Sequence, residues 1–517
     1  MNDAARSELS VEQVGHLRHY ANLLAQPPND WSFMGGKAIG QDDFGGYRFQ
    51  LAYMTYAMGL AHQHRLPAAP GLFKPLIKTA IEKMLLPEVW IYWKDTSRGG
   101  AAFNAHLTDK YQEEYNPVAR DNIMYSAYVQ SMALLFNYLF DDDRYAQPGA
   151  LTFDFFTPFW GGERKRFEYD QNSLNEHIYW LMVQNGYLGV ACEPNCIYQI
   201  CNQPAIMGFR LHDILTGGEV AQEVTTGYEK AWAEFGRLDG DGRYNMFMFE
   251  DTKNVVPNSG HWPWVDAWCG ALMNMWNREF VHANYLKQVA GLIEPSPGGT
   301  ISVNPGEPFL LAGEPVVGDA CDHGWASIWA SEMGDTETLS GLLAHADRYM
   351  NPTWMRGGLY YPRNDQHKDA EGHRTEMEPK VGNVLLGYAR LNVPDGLWHL
   401  YNHPWDRDHH TEPALTTVSG DVDVSLAFYD GERRELAFRV ARREDARGDG
   451  TVVVGNLDSA GAEFTVREGD RVLGHGGRGI PFTSDYPGLN VGDAGLELAC
   501  RSDQPHRYTI TFDGQGG

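Results

Sequence analysis

Hydrophobic positions in about the first 400 residues recur with the period of an α-helix, and these amphipathic segments are separated by loops rich in glycine and proline. In the first segment Val14, Leu17 and Leu24 share one helical face. Ser10, followed three residues later by Gln13, has the capping-box pattern of a helix start. The pattern predicts about twelve helices in all. The others are expected near residues 44–65, 72–86, 120–140, 173–186, 195–215, 222–236, 264–277, 279–293, 319–333, 336–350 and 381–392.

Helices in such number, joined by loops of uneven length, fit a toroid of six antiparallel hairpins. In that arrangement inner helices line a central cavity and outer helices surround them. Because periodicity does not determine whether the ring closes, a helical stack without closure is the alternative. The predicted fold class is mainly α, an (α/α)6 barrel followed by a small C-terminal antiparallel β domain.

The hydrophobic period changes from helical to alternating at about residue 410. Residues 422–428 alternate, Asp430 and Gly431 form a turn, and residues 436–440 alternate again, which predicts a β-hairpin. We therefore expect two domains, an (α/α)6-barrel catalytic domain over residues 1–405 and a β-sandwich-like accessory domain over 410–517. The second domain lacks a cluster of His, Cys or carboxylate residues, so a lid, stability or assembly role is expected for it.

Composition and net charge narrow the range of functions that this protein can have. Aromatic residues make up 12% of the 517-residue chain, which suits a deep pocket as well as a well-filled core. The net charge of -26 argues against nucleic acid as a partner, because a phosphate backbone would be repelled. No apolar run is long enough for a membrane span. The polar N-terminus does not resemble a secretory leader, so a cytoplasmic location is expected, with a periplasmic one as the alternative if a leader was removed.

Three of the six cysteines lie within one short segment, at Cys192, Cys196 and Cys201. In an intracellular protein these thiols stay reduced and can transfer protons, attack carbon or bind metal. Structural zinc usually needs four ligands in paired short spacings, and no second pair is evident, so a metal site is not expected. Cys192 precedes Pro194 at a helix start, where the helix dipole should lower the thiol pKa. Cys201 is predicted well inside the helix, where that effect is weaker.

Four segments together resemble the linalool dehydratase/isomerase family: CEPNCIYQICNQPAIMGF, ARDNIMYSAYVQSMALL, YRFQLAYMTYAMGLAHQHRLPAAPGLFKP and GRYNMFMF. The resemblance covers most of residues 30–400, and its specific part is the spacing of nine between Cys192 and Cys201. It implies an (α/α)6 barrel that acts, without a cofactor, on monoterpene alcohols such as linalool and geraniol and gives dienes such as myrcene.

The resemblance also implies roles for particular residues. Cys192 and Cys201 would face a small apolar alcohol substrate. Tyr47, with Asp42 or Asp43, would complete the site of a homo-oligomer across a subunit interface. Tyr128 stands where the family has a histidine, so a relay built on imidazole does not carry over. The residues expected to contact the substrate are Met124, Glu193, Ile197, Tyr198 and Tyr244.

These groups fit the loss of water from a tertiary allylic alcohol. Tyr47, Tyr128 or an Asp would act on the oxygen, while a thiol would remove or return a proton on the hydrocarbon side. Two other functions remain open, namely a carbohydrate-active hydrolase, lyase or epimerase and a non-enzymatic binder of an apolar molecule. A Trp-rich segment could line a sugar site, although a buried Trp layer with a capping Asp is the preferred interpretation. Its residues are His261, Trp262, Trp264, Asp266 and Trp268.

Overall fold

The computed structural model describes most of the chain. The described residues are 6–37, 40–41, 45–100, 104–107, 109–159, 161–306, 309–311, 314–316 and 322–513, with the backbone alone for 309–311 and 314–316.

Twelve long helices dominate the described residues up to about residue 400, in agreement with the predicted number. They are α1 (Val11–Leu24), α2 (Tyr47–His64), α3 (Pro70–Met84), α4 (Ile123–Phe140), α5 (Gln171–Gln184), α6 (Gln199–Thr216), α7 (Val220–Phe235), α8 (Pro263–Met273), α9 (Arg278–Ala290), α10 (Asp322–Met333), α11 (Thr336–Tyr349) and α12 (Val381–Leu385, a π-helical stretch, continued by Leu386–Leu391).

The even-numbered helices form a closed inner ring. Helix α2 contacts α4, and contacts then run in turn to α6, α8, α10 and α12, which packs back against α2. The odd-numbered helices pack on the outside of this ring. The structure thus confirms the predicted (α/α)6 barrel and supplies the ring closure that periodicity could not.

Burial separates the two sets of helices. Helix α4 is buried along its whole length, as expected for an inner helix with neighbours on every side. Outer helix α7 buries only one stripe, which includes Ala221, Val224, Tyr228 and Trp232. The centre of the ring is filled by aromatic side chains such as Trp268 and Trp325, whose rings stack with their centroids 4.4 Å apart.

The inner helices run parallel to one another, so all their N-terminal ends lie at one rim of the ring. Phe49 of α2, Tyr128 of α4 and Trp268 of α8 meet near this rim, with ring centroids about 6 Å apart. At the opposite rim, Glu332 of α10 accepts hydrogen bonds from Asn274 and Asn392, which follow α8 and α12.

One helix start differs from its prediction and changes the position of a cysteine. Helix α6 was expected from residue 195, but it begins at Gln199. Cys196–Ile197 forms a short strand that pairs with Phe247–Phe249, and this pairing withdraws the segment from the helix. Cys201 therefore lies in the first turn of α6 rather than well inside it.

The C-terminal region forms two antiparallel sheets, and the predicted hairpin around Asp430 is present. The sheets contact the barrel through α1 and α3, and the Leu9 N–H donates to the Ser425 carbonyl at 2.8 Å. The accessory role and the domain bounds remain predictions. The four-stranded sheet has the order Ala414–Val418, Gly450–Gly455, Gly495–Cys500, Leu489–Gly492, and the six-stranded sheet Val422–Asp430, Glu435–Arg442, His506–Asp513, Glu463–Glu468, Arg471–Gly477, Ile480–Ser484.

None of the described helices combines the length and the apolar character that crossing a membrane requires. Short strands and helices lie in the connections between the longer elements. The short strands are Leu151–Phe155, Lys165–Tyr169, Val255–Val256, Ile293–Ser296, Thr300–Val303, Phe309–Leu311, Glu314–Val316, Thr353–Met355 and Gly358–Tyr360. The short helices are Pro87–Trp90, Trp93–Thr96, Ala105–Leu107, Arg144–Ala146, Pro297–Gly299, Gly396–Asn402, Arg407–Thr411 and Leu457–Ala460.

Candidate active site

The two cysteines nine residues apart meet at the rim formed by the N-terminal ends of the inner helices. Cys201 donates a hydrogen bond to the sulfur of Cys192. Both are free thiols and nearly buried, with 7% of Cys192 and 4% of Cys201 exposed. The structure therefore brings together the pair that the sequence singled out.

Backbone and side-chain hydrogen bonds fold the segment before α6 back onto itself. The Cys192 N–H donates to the Cys196 carbonyl at 2.9 Å, closing a tight turn. The Asn122 N–H, just before α4, donates to the Cys192 carbonyl at 2.9 Å. On α6, Asn202 accepts from the Val190 N–H at 2.8 Å, which ties the segment to the first turn of the helix. These bonds hold Cys192 beside Cys201.

A carboxyl group lies at the other side of Cys192. The Cys192 Sγ donates to Oε1 of Glu193 at 3.6 Å. The Glu193 side chain keeps accessible surface, yet burial among protein atoms raises its pKa. Arg48 of α2 opposes the rise in pKa, and its guanidinium lies over the Phe49 and Tyr92 rings at 4.3 and 4.0 Å.

The expectation of a lowered thiol pKa at Cys192 is wrong. The hydrogen bond from Cys201 does lower the pKa, but burial and the neighbouring Glu193 carboxylate outweigh it, so the net shift is upward. Burial raises the pKa of Cys201 well above its ordinary value, although this residue lies in the first turn of α6. Both thiols are therefore protonated near neutral pH.

Tyr128 lies below the rim, in the aromatic centre of the ring. Its hydroxyl is 3.2 Å from that of Tyr53 and donates to Sδ of Met124 at 2.8 Å. Tyr53 in turn accepts from Nε1 of Trp268 at 2.6 Å. Burial raises the pKa of Tyr128 well above its ordinary value. The Tyr128 hydroxyl is thus neutral and hydrogen-bonded within the protein.

Of the residues expected to act across a subunit interface, the structure describes Tyr47. Tyr47 is the first residue of α2, and its half-buried ring stacks on Trp31 with centroids 4.3 Å apart. Burial, with a contribution from Glu88, raises its pKa. Asp42 and Asp43 lie outside the described residues. The interfacial role of these residues remains a prediction.

The residues expected to contact substrate differ in how deeply they are buried and in whether they contact the thiols. Met124 donates its backbone N–H toward Cys192 and so belongs to the rim. Tyr198 is half-buried at the start of α6, beside the Phe247 ring. Ile197 and Tyr244 are completely buried, so either would reach a ligand only after rearrangement.

The sequence model of the family described as linalool dehydratase/isomerase matches residues 48–367, which is more than half of the chain. The chain belongs to the linalool dehydratase/isomerase family. Membership of this family implies a dehydratase/isomerase enzyme that acts on a small alcohol.

Solved structures with a similar fold share little sequence with this family member. The α-1,6-mannanase GH76A of Salegentibacter sp. HEL1_6 has 11% identity and a TM-score of 0.39, covering 74% of this chain and 98% of its own. The unsaturated glucuronyl hydrolase of Bacillus sp. GL1 has 10% identity and a TM-score of 0.39, covering 76% of this chain and 96% of its own. Values this low carry no inference about activity.

Asp266 and Trp268 of the Trp-rich segment form hydrogen bonds and ring contacts with other described residues. Asp266 accepts from the Arg243 guanidinium at 2.9 Å and from the Tyr244 N–H at 2.7 Å. Burial raises the pKa of Asp266 to about 6. Trp268 stacks on Trp325 in the centre of the ring. These contacts agree with the preferred interpretation, a buried Trp layer with a capping Asp.

Two charged residues, Glu193 and Lys380, were not assigned a chemical role from the sequence. Glu193 was expected only to contact substrate, although its position directly after Cys192 was a usable signal. Lys380, just before α12, is completely buried, and its ammonium lies 4.7 Å from the Phe49 ring centroid and 4.6 Å from that of Trp268. Lys380 gave no such signal, because it is more than 300 positions from Phe49 in the sequence and only ring closure brings α12 to α2.

Proposed function

We propose that this family member is a cofactor-free dehydratase/isomerase of tertiary allylic alcohols of the terpene type, such as linalool and geraniol, with dienes such as myrcene as products. The observation that carries the proposal is the hydrogen-bonded pair of protonated thiols, Cys192 and Cys201, at the rim of the ring. A thiol pair in an apolar, largely water-free setting can move a proton to and from a hydrocarbon.

The chemistry needs an acid near the oxygen, a base near a C–H bond and surrounding side chains that exclude water. Once its hydroxyl is protonated, a tertiary allylic alcohol loses water readily, because the resulting cation is delocalised. Loss of a neighbouring proton then gives the diene, and return of water to the other end of the allylic system gives the isomeric alcohol. The raised pKa values of Cys192 and Cys201 disfavour a covalent thioether route, since the thiolate is the nucleophile.

The charge of Lys380 limits where the cationic intermediate is expected. Its ammonium already lies over the Phe49 and Trp268 rings, at 4.7 and 4.6 Å from their centroids. Two positive charges repel strongly in a buried site, so a carbocation would be unfavourable beside Lys380. We therefore expect the cation on the side of Cys192, where the Glu193 carboxylate offers the opposite charge.

A homo-oligomer with the site near a subunit interface is part of this proposal. It rests on the family resemblance at Tyr47, Asp42 and Asp43. Light scattering combined with size-exclusion chromatography tests it, and a monomer at working concentrations would contradict it.

Incubation with linalool, geraniol and short-chain alkenols, followed by headspace analysis of dienes, tests the activity. The wild-type protein is expected to release a diene from at least one of these alcohols, and Cys201→Ala is expected to lose that activity while keeping its helical circular dichroism. Cys500→Ala is the matched control, because it removes a buried thiol from a C-terminal sheet. Conversion of no alkenol of any chain length, or equal rates for Cys201→Ala and wild type, would contradict the proposal.

A further inference from the structure

Three groups at the rim are linked in series, Cys201 to Cys192 and Cys192 to Glu193. The Cys201 and Cys192 thiols interact with each other, and the Cys192 Sγ donates to Oε1 of Glu193 at 3.6 Å. A thiol is both donor and acceptor, whereas an ionised carboxylate only accepts. Glu193 is therefore the natural end point of a proton that enters at Cys201.

Glu193 has the access to ligand that a catalytic group needs. Its side chain is exposed, although Cys192 and Cys201 beside it are nearly buried. Arg48 interacts with the carboxylate electrostatically, but among the described residues the two form no direct ion pair. A substrate hydroxyl can therefore approach the carboxyl without first displacing a guanidinium group.

We propose that Glu193 is the acid that protonates the substrate hydroxyl, and that Cys201 and Cys192 return to it the proton taken from carbon. This inference rests on the proposed dehydratase function and adds a catalytic residue to it.

The protons and electron pairs balance without a co-reactant. Protonated Glu193 gives its proton to the hydroxyl, and the C–O bond breaks with its electron pair leaving on water. A C–H bond next to the allylic cation then gives its proton to the Cys201 sulfur, and its electron pair forms the new C=C bond. The Cys201 proton moves to Cys192, and the Cys192 proton moves to the Glu193 carboxylate. The products are diene and water, and all three residues regain their starting protonation.

This route does not require a thiolate at any step. A C–H bond beside a carbocation is strongly acidic, so a neutral thiol that loses its own proton to a neighbour is a sufficient base. The high pKa of Cys201 is compatible with such a transfer, whereas it would oppose a mechanism that starts from a free thiolate.

Glu193 also suits the acid role better than Tyr128. The Tyr128 hydroxyl is completely buried and bonded to Met124 and Tyr53. Burial raises the pKa of Glu193 and so favours its protonated form, as in other enzymes that use a carboxylic acid near neutral pH. The titratable or charged groups that interact with Glu193 are Arg48, Tyr92, Cys192, Cys196, Tyr198 and Cys201.

Substitution of Glu193 tests the proposal on the alkenol that the wild-type protein converts. Glu193→Gln should lower kcat by roughly 10²-fold to 10⁴-fold, the range of a lost general acid, with KM changed by less than about threefold. Glu250→Gln is the matched control, since this carboxylate contacts Lys110 outside the relay, and its kcat should stay within about twofold of wild type. Equal kcat values for Glu193→Gln and wild type would overturn the proposal.

The pH profile supplies a readout that a structural role would not move. The wild-type rate should fall on the alkaline side as Glu193 loses its proton, and Glu193→Gln should lack that limb. If the Gln variant does not fold, Glu193→Asp replaces it, and its kcat should lie between wild type and the level expected for Gln while the limb persists. An unchanged alkaline limb in a folded Gln variant would contradict the acid role. A wild-type protein that converts no alkenol would instead refute the dehydratase function itself.

Discussion

The two rims of the helical ring each contain a carboxyl group whose pKa is raised by burial, but the two groups have different partners. At the N-terminal rim, Glu193 accepts from the Cys192 thiol and keeps exposed surface. At the opposite rim, Glu332 is completely buried and its pKa is raised to about 7. The pKa shift alone therefore does not distinguish a chemical group from a structural one.

Hydrogen-bond partners make the distinction. Glu332 accepts from the side-chain amides of Asn274 and Asn392 at 3.0 and 2.9 Å and from the Leu397 N–H at 3.1 Å. Amide groups do not release protons near neutral pH, so Glu332 is a fixed acceptor that ties together the ends of three inner helices. Glu193 has a titratable donor on one side and open space on the other. A thiol donor and an accessible oxygen thus mark the rim where chemistry is expected.

The largest effect is expected from removing the thiols singly and together. If Cys192 and Cys201 work as one relay, Cys192→Ala, Cys201→Ala and the double variant should each lower kcat/KM by roughly 10³-fold or more, about 4 kcal/mol of transition-state stabilisation. Groups that act as a unit give such non-additive losses. Steady-state kinetics on the alkenol substrate measures all three.

Additive losses would separate the two thiols. If the double variant lost the product of the two single effects, Cys192 and Cys201 would act in independent steps and the relay would be wrong. Cys196→Ala is the control, because this neighbouring thiol takes no part in the hydrogen bonds between Cys201, Cys192 and Glu193.

The contrast between the rims also shows what the sequence could predict. Helical periodicity located the twelve ring helices, because inner and outer helices are long and continuous. The spacing of Cys192 and Cys201 located the thiols, because they lie within one segment. Local patterns did not predict the strand Cys196–Ile197, whose pairing with Phe247–Phe249 is a tertiary interaction.

Long-range contacts account for what the sequence did not reveal. Glu332, at the end of α10, bonds to Asn274 and Asn392 at the ends of two other inner helices, and Lys380 meets Phe49 only when the ring closes. The lowered pKa expected for Cys192 was wrong because a helix start suggests dipole stabilisation, whereas burial depends on the folded surroundings. Periodicity and motifs thus predicted the helices and the candidate site residues, whereas the packing around those residues determined their protonation states.

Substitution of Glu332 at the rim opposite the thiols should lower the stability of the protein, whereas substitution at the thiol rim should lower the reaction rate. Glu332→Ala leaves the donors of Asn274, Asn392 and Leu397 without their acceptor. At about 1–3 kcal/mol for each unsatisfied buried group, partly relieved by relaxation, the free energy of unfolding should fall by about 4 kcal/mol. Chemical denaturation followed by tryptophan fluorescence measures this loss. Glu193→Ala is the comparison at the thiol rim, and an equal loss there would remove the distinction between the two carboxyls.

The raised pKa of Glu332 predicts a pH dependence of stability. Its pKa is about 7 in the folded protein against an ordinary value of 4.5, so between these values the folded state holds a proton that the unfolded chain releases. This contribution is complete below about pH 4.5 and is lost as the pH rises through 7, a change of about 3 kcal/mol. Unfolding free energies at about pH 5 and pH 8 should therefore differ more for wild type than for Glu332→Gln. Identical pH dependence in both proteins would show that Glu332 does not titrate in this range.

The smallest effect is expected at Tyr128, the position where the family has a histidine. Tyr128→Phe removes bonds to Tyr53 and Met124 inside the aromatic centre, so stability should fall by about 1 kcal/mol and kcat by less than about threefold. Tyr53→Phe is the matched control and should cost more stability, because it also leaves Nε1 of Trp268 without its acceptor. A loss of roughly 10²-fold in kcat for a folded Tyr128→Phe would place this hydroxyl in the proton transfer. That outcome would place the reacting oxygen beside Tyr128 rather than beside Glu193.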